Sequence, residues 1–162
     1  MIQDEHRSLM SHVEGLRSVA EVVGEVSPGL LRQGVDDAYR FLTELLIPHA
    51  DAEERGVYPA VTKILGSDLA TEGMIRDHAE VKRLAAALGD LKRQLDLDPL
   101  TEQTARDLRR TLYGLYALVR LHFTKEEETL LPLLEAHLSP EQVKQIFRAM
   151  ETPPPSPARE ER

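Results

Sequence analysis

One stretch of this 162-residue chain occurs twice, and the pair limits what the rest can fold into. His49, Glu53, Glu54 and Pro59 are answered by His122, Glu126, Glu127 and Pro132, each displaced by 73 positions. On an α-helix, residues four apart lie one above the other, so each copy directs an imidazole nitrogen and a carboxylate at the same point in space. Each copy is half of a metal site, and the fold has to bring the halves together.

Two further histidines extend the duplication. His6 follows Glu5 and His78 follows Asp77, 72 positions apart, so the order is His6, His49xxxGlu53, His78, His122xxxGlu126. With this pattern the sequence resembles the hemerythrin-like HHE cation-binding domain over roughly residues 2 to 137. The resemblance implies an up-down-up-down four-helix bundle holding two irons, with Glu53 and Glu126 bridging them. It makes His6, His49, His78 and His122 the terminal ligands, leaves their division between the irons open, and adds a bridging oxygen from solvent. Two departures from the oxygen carriers place the chain in the HHE branch: Lys82 stands four residues after His78, where a second histidine would be, and the last motif is HxxxE rather than His followed five on by Asp. With one imidazole fewer, one iron keeps an open position, which favours ligand sensing or peroxide reactivity over stable oxygen carriage.

Composition agrees with such a site. The chain has no cysteine, so any metal is held by nitrogen and oxygen. Four imidazoles with two carboxylates suit iron, manganese or zinc better than magnesium or calcium, without choosing among the first three. A formal net charge of -8 and no clustered Lys/Arg argue against nucleic acid. No basic segment runs into an apolar one at the start, and no apolar run approaches the ~18 residues of a membrane span, so a cytoplasmic, soluble protein is expected. Glycine-rich phosphate loops and the GxSxG elbow are absent.

The length suits one domain, with boundaries read at 1–138 for the di-metal bundle, 139–151 for a short fifth helix and 152–162 for a proline-rich segment expected to be disordered. Apolar residues three and four apart predict helix one from Ile2 to about Val26. Ser27 and Pro28 cap helix two, which runs to a glycine stop at Gly66. Helix three is expected from near Thr71 to about Leu95. Asp98 and Pro99 repeat the cap-plus-proline device for helix four, which reaches about His137, and Ser139 with Gln142 forms a capping box for the fifth. Pro48 should kink helix two beside His49, while Pro59 and Pro132 bend their helices around the core.

His12 flanks the same stripe as His6, but 120° around the helix, so only one of them points inward; the pattern after His6 matches that after His78. His137 reads as a helix cap. Glu54 and Glu127, about 100° from the ligand glutamates, read as solvated charges with a fallback role as ligands if the metals shift, and Tyr58, Tyr113 and Tyr116 as core aromatics or donors to a bound oxygen species. The expected function is a di-iron protein that binds or senses oxygen, nitric oxide or peroxide, or handles iron. Two other readings compete: a ferritin-like di-metal oxidase, which calls for Glu-x-x-His rather than His-x-x-x-Glu, and a metal-free helical interaction module with solvated His/Glu faces.

Overall fold

The structure is a computed structural model that describes residues 2–151. Four helical rods run through it. The first is α1 (Ile2–Glu21). The second is α2 (Pro28–Phe41), a π turn (Leu42–Leu46), α3 (Ile47–Arg55) and α4 (Val57–Leu65) in succession. The third is α5 (Leu69–Leu97), and the fourth joins α6 (Glu102–Lys125) through a second π turn (Glu126–Leu130) to α7 (Leu131–His137). Successive rods lie side by side and the first packs on the fourth, which closes an up-down-up-down bundle; α8 (Pro140–Glu151) is the fifth helix. The proline-rich segment 152–162 lies outside the described residues.

Helical spacing explains the core. Leu9, Val13, Leu16 and Ala20 on α1 and Leu108, Leu112, Leu115 and Val119 on α6 recur at steps of four and three, and all are buried. They join Val35, Leu42, Val81 and Leu88 in one apolar cluster. A second cluster, around Val57, Val61, Met74, Leu130 and Leu134, lies beyond the repeated His/Glu stretches. Because α1 begins only one turn before His6, it contributes little to that end, and Ile146, Phe147 and Met150 of α8 pack there instead.

Three prolines mark three breaks in the α ladder. The Ile47 amide bonds to the Leu42 carbonyl and the Leu131 amide to the Glu126 carbonyl, each five residues back. Pro48 and Pro132 follow immediately. Neither can donate to the carbonyl four residues behind it, and the widened π turn absorbs the misfit. Ahead of Pro59 the ladder breaks at Gly56, which separates α3 from α4. Pro132 therefore does more than bend its rod, because its π turn begins at Glu126.

Several ends differ from the sequence expectation. The first helix stops at Glu21, with Gly24 taking a left-handed φ of 83° in the following turn, and α5 runs two residues further at each end than expected. Asp98 does not cap the fourth rod. Preceding a proline, it is held extended at φ −130° and ψ 154°, which ends α5. The cap is Thr101, whose side-chain oxygen accepts the Thr104 amide at 3.1 Å. By contrast Ser27, Gly66 and the Ser139/Gln142 box act as read.

Thr101→Ala is expected to cost about 0.5–2 kcal/mol, whereas Asp98→Ala stays within about 0.5 kcal/mol of the parent; urea titrations of the two variants check the order, which reverses if Asp98 is the cap.

Candidate metal centre

The duplicated stretches meet. His6 comes from α1, His49 and Glu53 from α3, His78 from α5, His122 from the end of α6 and Glu126 from the start of the second π turn. Five of these six residues are buried, with Glu53 and His6 at 0% exposure, and the His49 side chain is 9% exposed. Solvated His/Glu faces are therefore not what this fold makes of them.

The donor atoms fall into two lobes. Glu53 Oε1 lies 3.0 Å from His49 Nε2 and 3.6 Å from His6 Nε2, while its Oε2 is 3.5 Å from His78 Nε2. Glu126 mirrors it, with Oε1 3.5 Å from His122 Nε2 and Oε2 3.3 Å from His6 Nε2. Each carboxylate thus turns one oxygen towards each lobe. The geometry pairs His6 with His49 in the first lobe and His78 with His122 in the second, with Glu53 shared between them.

The Nε2 atoms of His6 and His49, both Glu53 oxygens and Glu126 Oε2 are buried without a hydrogen-bond partner. Leaving such groups unsatisfied costs on the order of 1–3 kcal/mol each, and more for charged ones. Five unpaired donor atoms facing one interior space are what a cation satisfies, and the nitrogen–oxygen set fits a first-row transition metal or zinc.

Outside the donors runs a second ring that the sequence reading missed. The Nδ1 of His6 meets Glu127 Oε1 at 3.1 Å, that of His49 meets Glu5 Oε2 at 3.3 Å, that of His78 meets Glu54 Oε1 at 2.9 Å and that of His122 meets Asp77 Oδ2 at 3.1 Å. Each acid stands beside a histidine or glutamate of the inner set on its own rod, and each holds the histidine of the next rod around the bundle. Glu54 and Glu127 are not merely solvated charges. A step of 100° turns them onto a neighbouring rod, where each can accept Nδ1–H and keep Nε2 aimed inward. The signal in the sequence was an acid adjacent to an inner residue, repeated four times.

Lysines back two of the four acids. Lys82, in the position of the oxygen carriers' extra histidine, reaches outward to Asp51 at 2.7 Å and Glu54 at 3.5 Å, and Lys125 pairs with Asp77. The tyrosines separate as well. Tyr58 is buried in the second lobe, whereas Tyr113 is exposed and the Tyr116 hydroxyl donates to Glu14 Oε1 at 3.4 Å, away from the site. His12 stacks on Phe41 with ring centres 5.1 Å apart and does not enter the cluster, while Phe123 stacks on His6 at 4.0 Å. His137 donates to the Leu133 carbonyl at 2.9 Å, as a C-terminal cap does.

Charge is concentrated here. Burial alone raises the carboxyl group of Glu53, but the surrounding imidazoles of His49, His6 and His78 outweigh it and hold the group well below the usual range. Burial opposes charging of the histidines, and the facing carboxylates overcome it, raising His6 to about 9 and His49 to about 10. Protons and metal therefore compete for the same nitrogens.

The model of a family described as the hemerythrin HHE cation binding domain matches residues 1–151. Neither curated proteins nor solved structures give a match. Among the described residues no helix is long and apolar enough to cross a membrane.

The raised histidines set a pH dependence for chelator-stripped protein. Their folded values exceed the ordinary 6.5, so their stabilisation is complete below about pH 6.5 and is lost as pH rises through about 9 and 10. Thermal melts of stripped protein from pH 6.5 to 10 should fall, with each group contributing a slope of at most about 1.4 kcal/mol per pH unit. Metal uptake near neutral pH should release protons, seen by calorimetry in buffers of different ionisation enthalpy; a flat profile without proton release contradicts this account.

Proposed function

The chain belongs to the hemerythrin HHE cation-binding family, and we propose that it holds two irons, one in each lobe, and binds or senses oxygen, nitric oxide or peroxide with them. The observation that supports this reading is the set of five buried donor atoms without hydrogen-bond partners, beside two carboxylates that each turn one oxygen towards each lobe. His6 and His49 would hold one iron, His78 and His122 the other, with Glu53 and Glu126 spanning both. An iron pair supplies reversible coordination of small oxidants and one-electron or two-electron exchange with them.

The protein contributes rigidity and dryness. Glu5, Glu54, Asp77 and Glu127 fix the four imidazoles in one tautomer and orientation, so little reorganises when a ligand arrives. The apolar clusters at either end and Phe123 against His6 keep bulk water from the interior, which strengthens every charge interaction there. The ferritin-like alternative calls for Glu-x-x-His pairs, whereas both repeats here place histidine four residues before glutamate.

Metal analysis of the purified chain should give two irons, with an oxo-bridge absorption that changes when oxygen or peroxide meets the reduced protein. His49→Ala and His122→Ala should lose metal, and retention of two per chain in either variant refutes the assignment. Glu127→Ala, which frees His6 Nδ1, should weaken metal binding about 10–100-fold by competition with a chelator.

A further inference from the structure

The duplication makes the two lobes alike in their histidines and carboxylates, but one side chain breaks the match. Tyr58 has Leu131 as its counterpart 73 positions on. Its hydroxyl enters the second lobe, 2.8 Å from Glu126 Oε1, 3.1 Å from His78 Nε2 and 3.4 Å from His122 Nε2. The His78 and His122 Nε2 atoms are themselves 2.9 Å apart. Donor atoms about 2.0–2.2 Å from a shared metal lie roughly 2.8–3.6 Å from one another in octahedral or tetrahedral geometry. The tyrosine oxygen stands among the other donors at those spacings.

Among the described residues the first lobe has no such oxygen. His6 and His49 keep unpartnered Nε2 atoms, and His49 also forms part of the wall of a cleft of about 360 Å³ lined with Glu5, Ser8, Leu9, Pro48 and Ala52. The outer ring repeats the inequality, because Lys82 and Lys125 back the acids of the second lobe, while among the described residues Glu127 holds His6 without a lysine or arginine partner. A carboxylate not shared with a cation pulls harder on its imidazole proton, which makes that ring the stronger electron donor.

We propose that Tyr58 is a fifth protein ligand to the metal of the second lobe, and that the first lobe is consequently the one that accepts a small exogenous anion or diatomic molecule, entering by the cleft beside His49. The inference rests on the two-metal reading above. Coordination exchanges the hydroxyl proton for the metal: the O–H bond breaks, the proton passes to solvent, the oxygen keeps the electron pair it shares with the metal, and no oxidation state changes. The ligand count becomes five protein donors in the second lobe against four in the first, and the vacancy belongs to the first.

The test uses the full-length, iron-loaded ferric chain, with metal content measured before any spectrum. Two irons per chain, with visible charge-transfer absorption whose resonance Raman bands shift on ring-deuterated tyrosine labelling, is the expected result, and it needs no variant to fold. Tyr58→Phe should lose those bands and rise from one azide bound per chain to two. Ser8→Trp, which fills the cleft, should slow azide association without changing the bands. Two irons without tyrosine bands, or two azides on the parent chain, overturn the inference and leave the two-metal reading standing, and an unchanged association rate in Ser8→Trp overturns the entry route. Fewer than two metals on a folded chain overturns both.

Discussion

Everything in this bundle answers to the cost of burying four imidazoles and two carboxylates in its middle. An unpaired carboxylate taken out of water costs several kcal/mol even after relaxation, and Glu53 is buried with neither oxygen hydrogen-bonded. Imidazolium partners lower that cost in the stripped protein, as the raised values of His6 and His49 express, but they leave the donor atoms converging on space rather than on each other. A cation resolves the whole set at once. The apolar clusters on either side have to be extensive because they supply the stability that this polar layer takes away.

The outer ring makes the inner site precise. A histidine on a helix can rotate about two torsions, and a donor set spread over four rods would be loosely defined if each ring were free. Passing the restraint from the first rod to the second, second to third, third to fourth and fourth back to first couples the orientation of each imidazole to the packing of its neighbour. Interhelical distance and ligand geometry then become one quantity. The π turn at Glu126 and the break after Glu53 belong to the same arrangement, since each lies where an inner carboxylate must leave ideal helical register to span two lobes.

How much of this could be read from the sequence follows from periodicity. Four long apolar stripes and a repeat of 72 or 73 positions carry the rod count and the inner six residues, because helical spacing converts number directly into direction. His6 over His12 was legible for the same reason: a difference of 120° decides which ring faces inward. The outer ring was not legible that way. Whether Glu54 meets water or His78 depends on how closely two rods approach, which no single-helix pattern contains. Likewise Asp98 and Thr101 both precede plausible starts, and only the extended backbone imposed by Pro99 decides between them.

Duplication gives two equivalent half-sites, and single-residue departures from it then decide how the halves differ. Tyr58 opposes Leu131, Lys125 opposes Ala52 and Phe123 opposes Ala50, so one lobe gains an oxygen and backed acids while the other gains an aromatic wall against His6 and a small residue at the cleft. None of these exchanges touches the six repeated donors. A symmetric scaffold thereby fixes where metals can sit, while the chemistry that distinguishes one position from the other is carried by neighbours about a turn away.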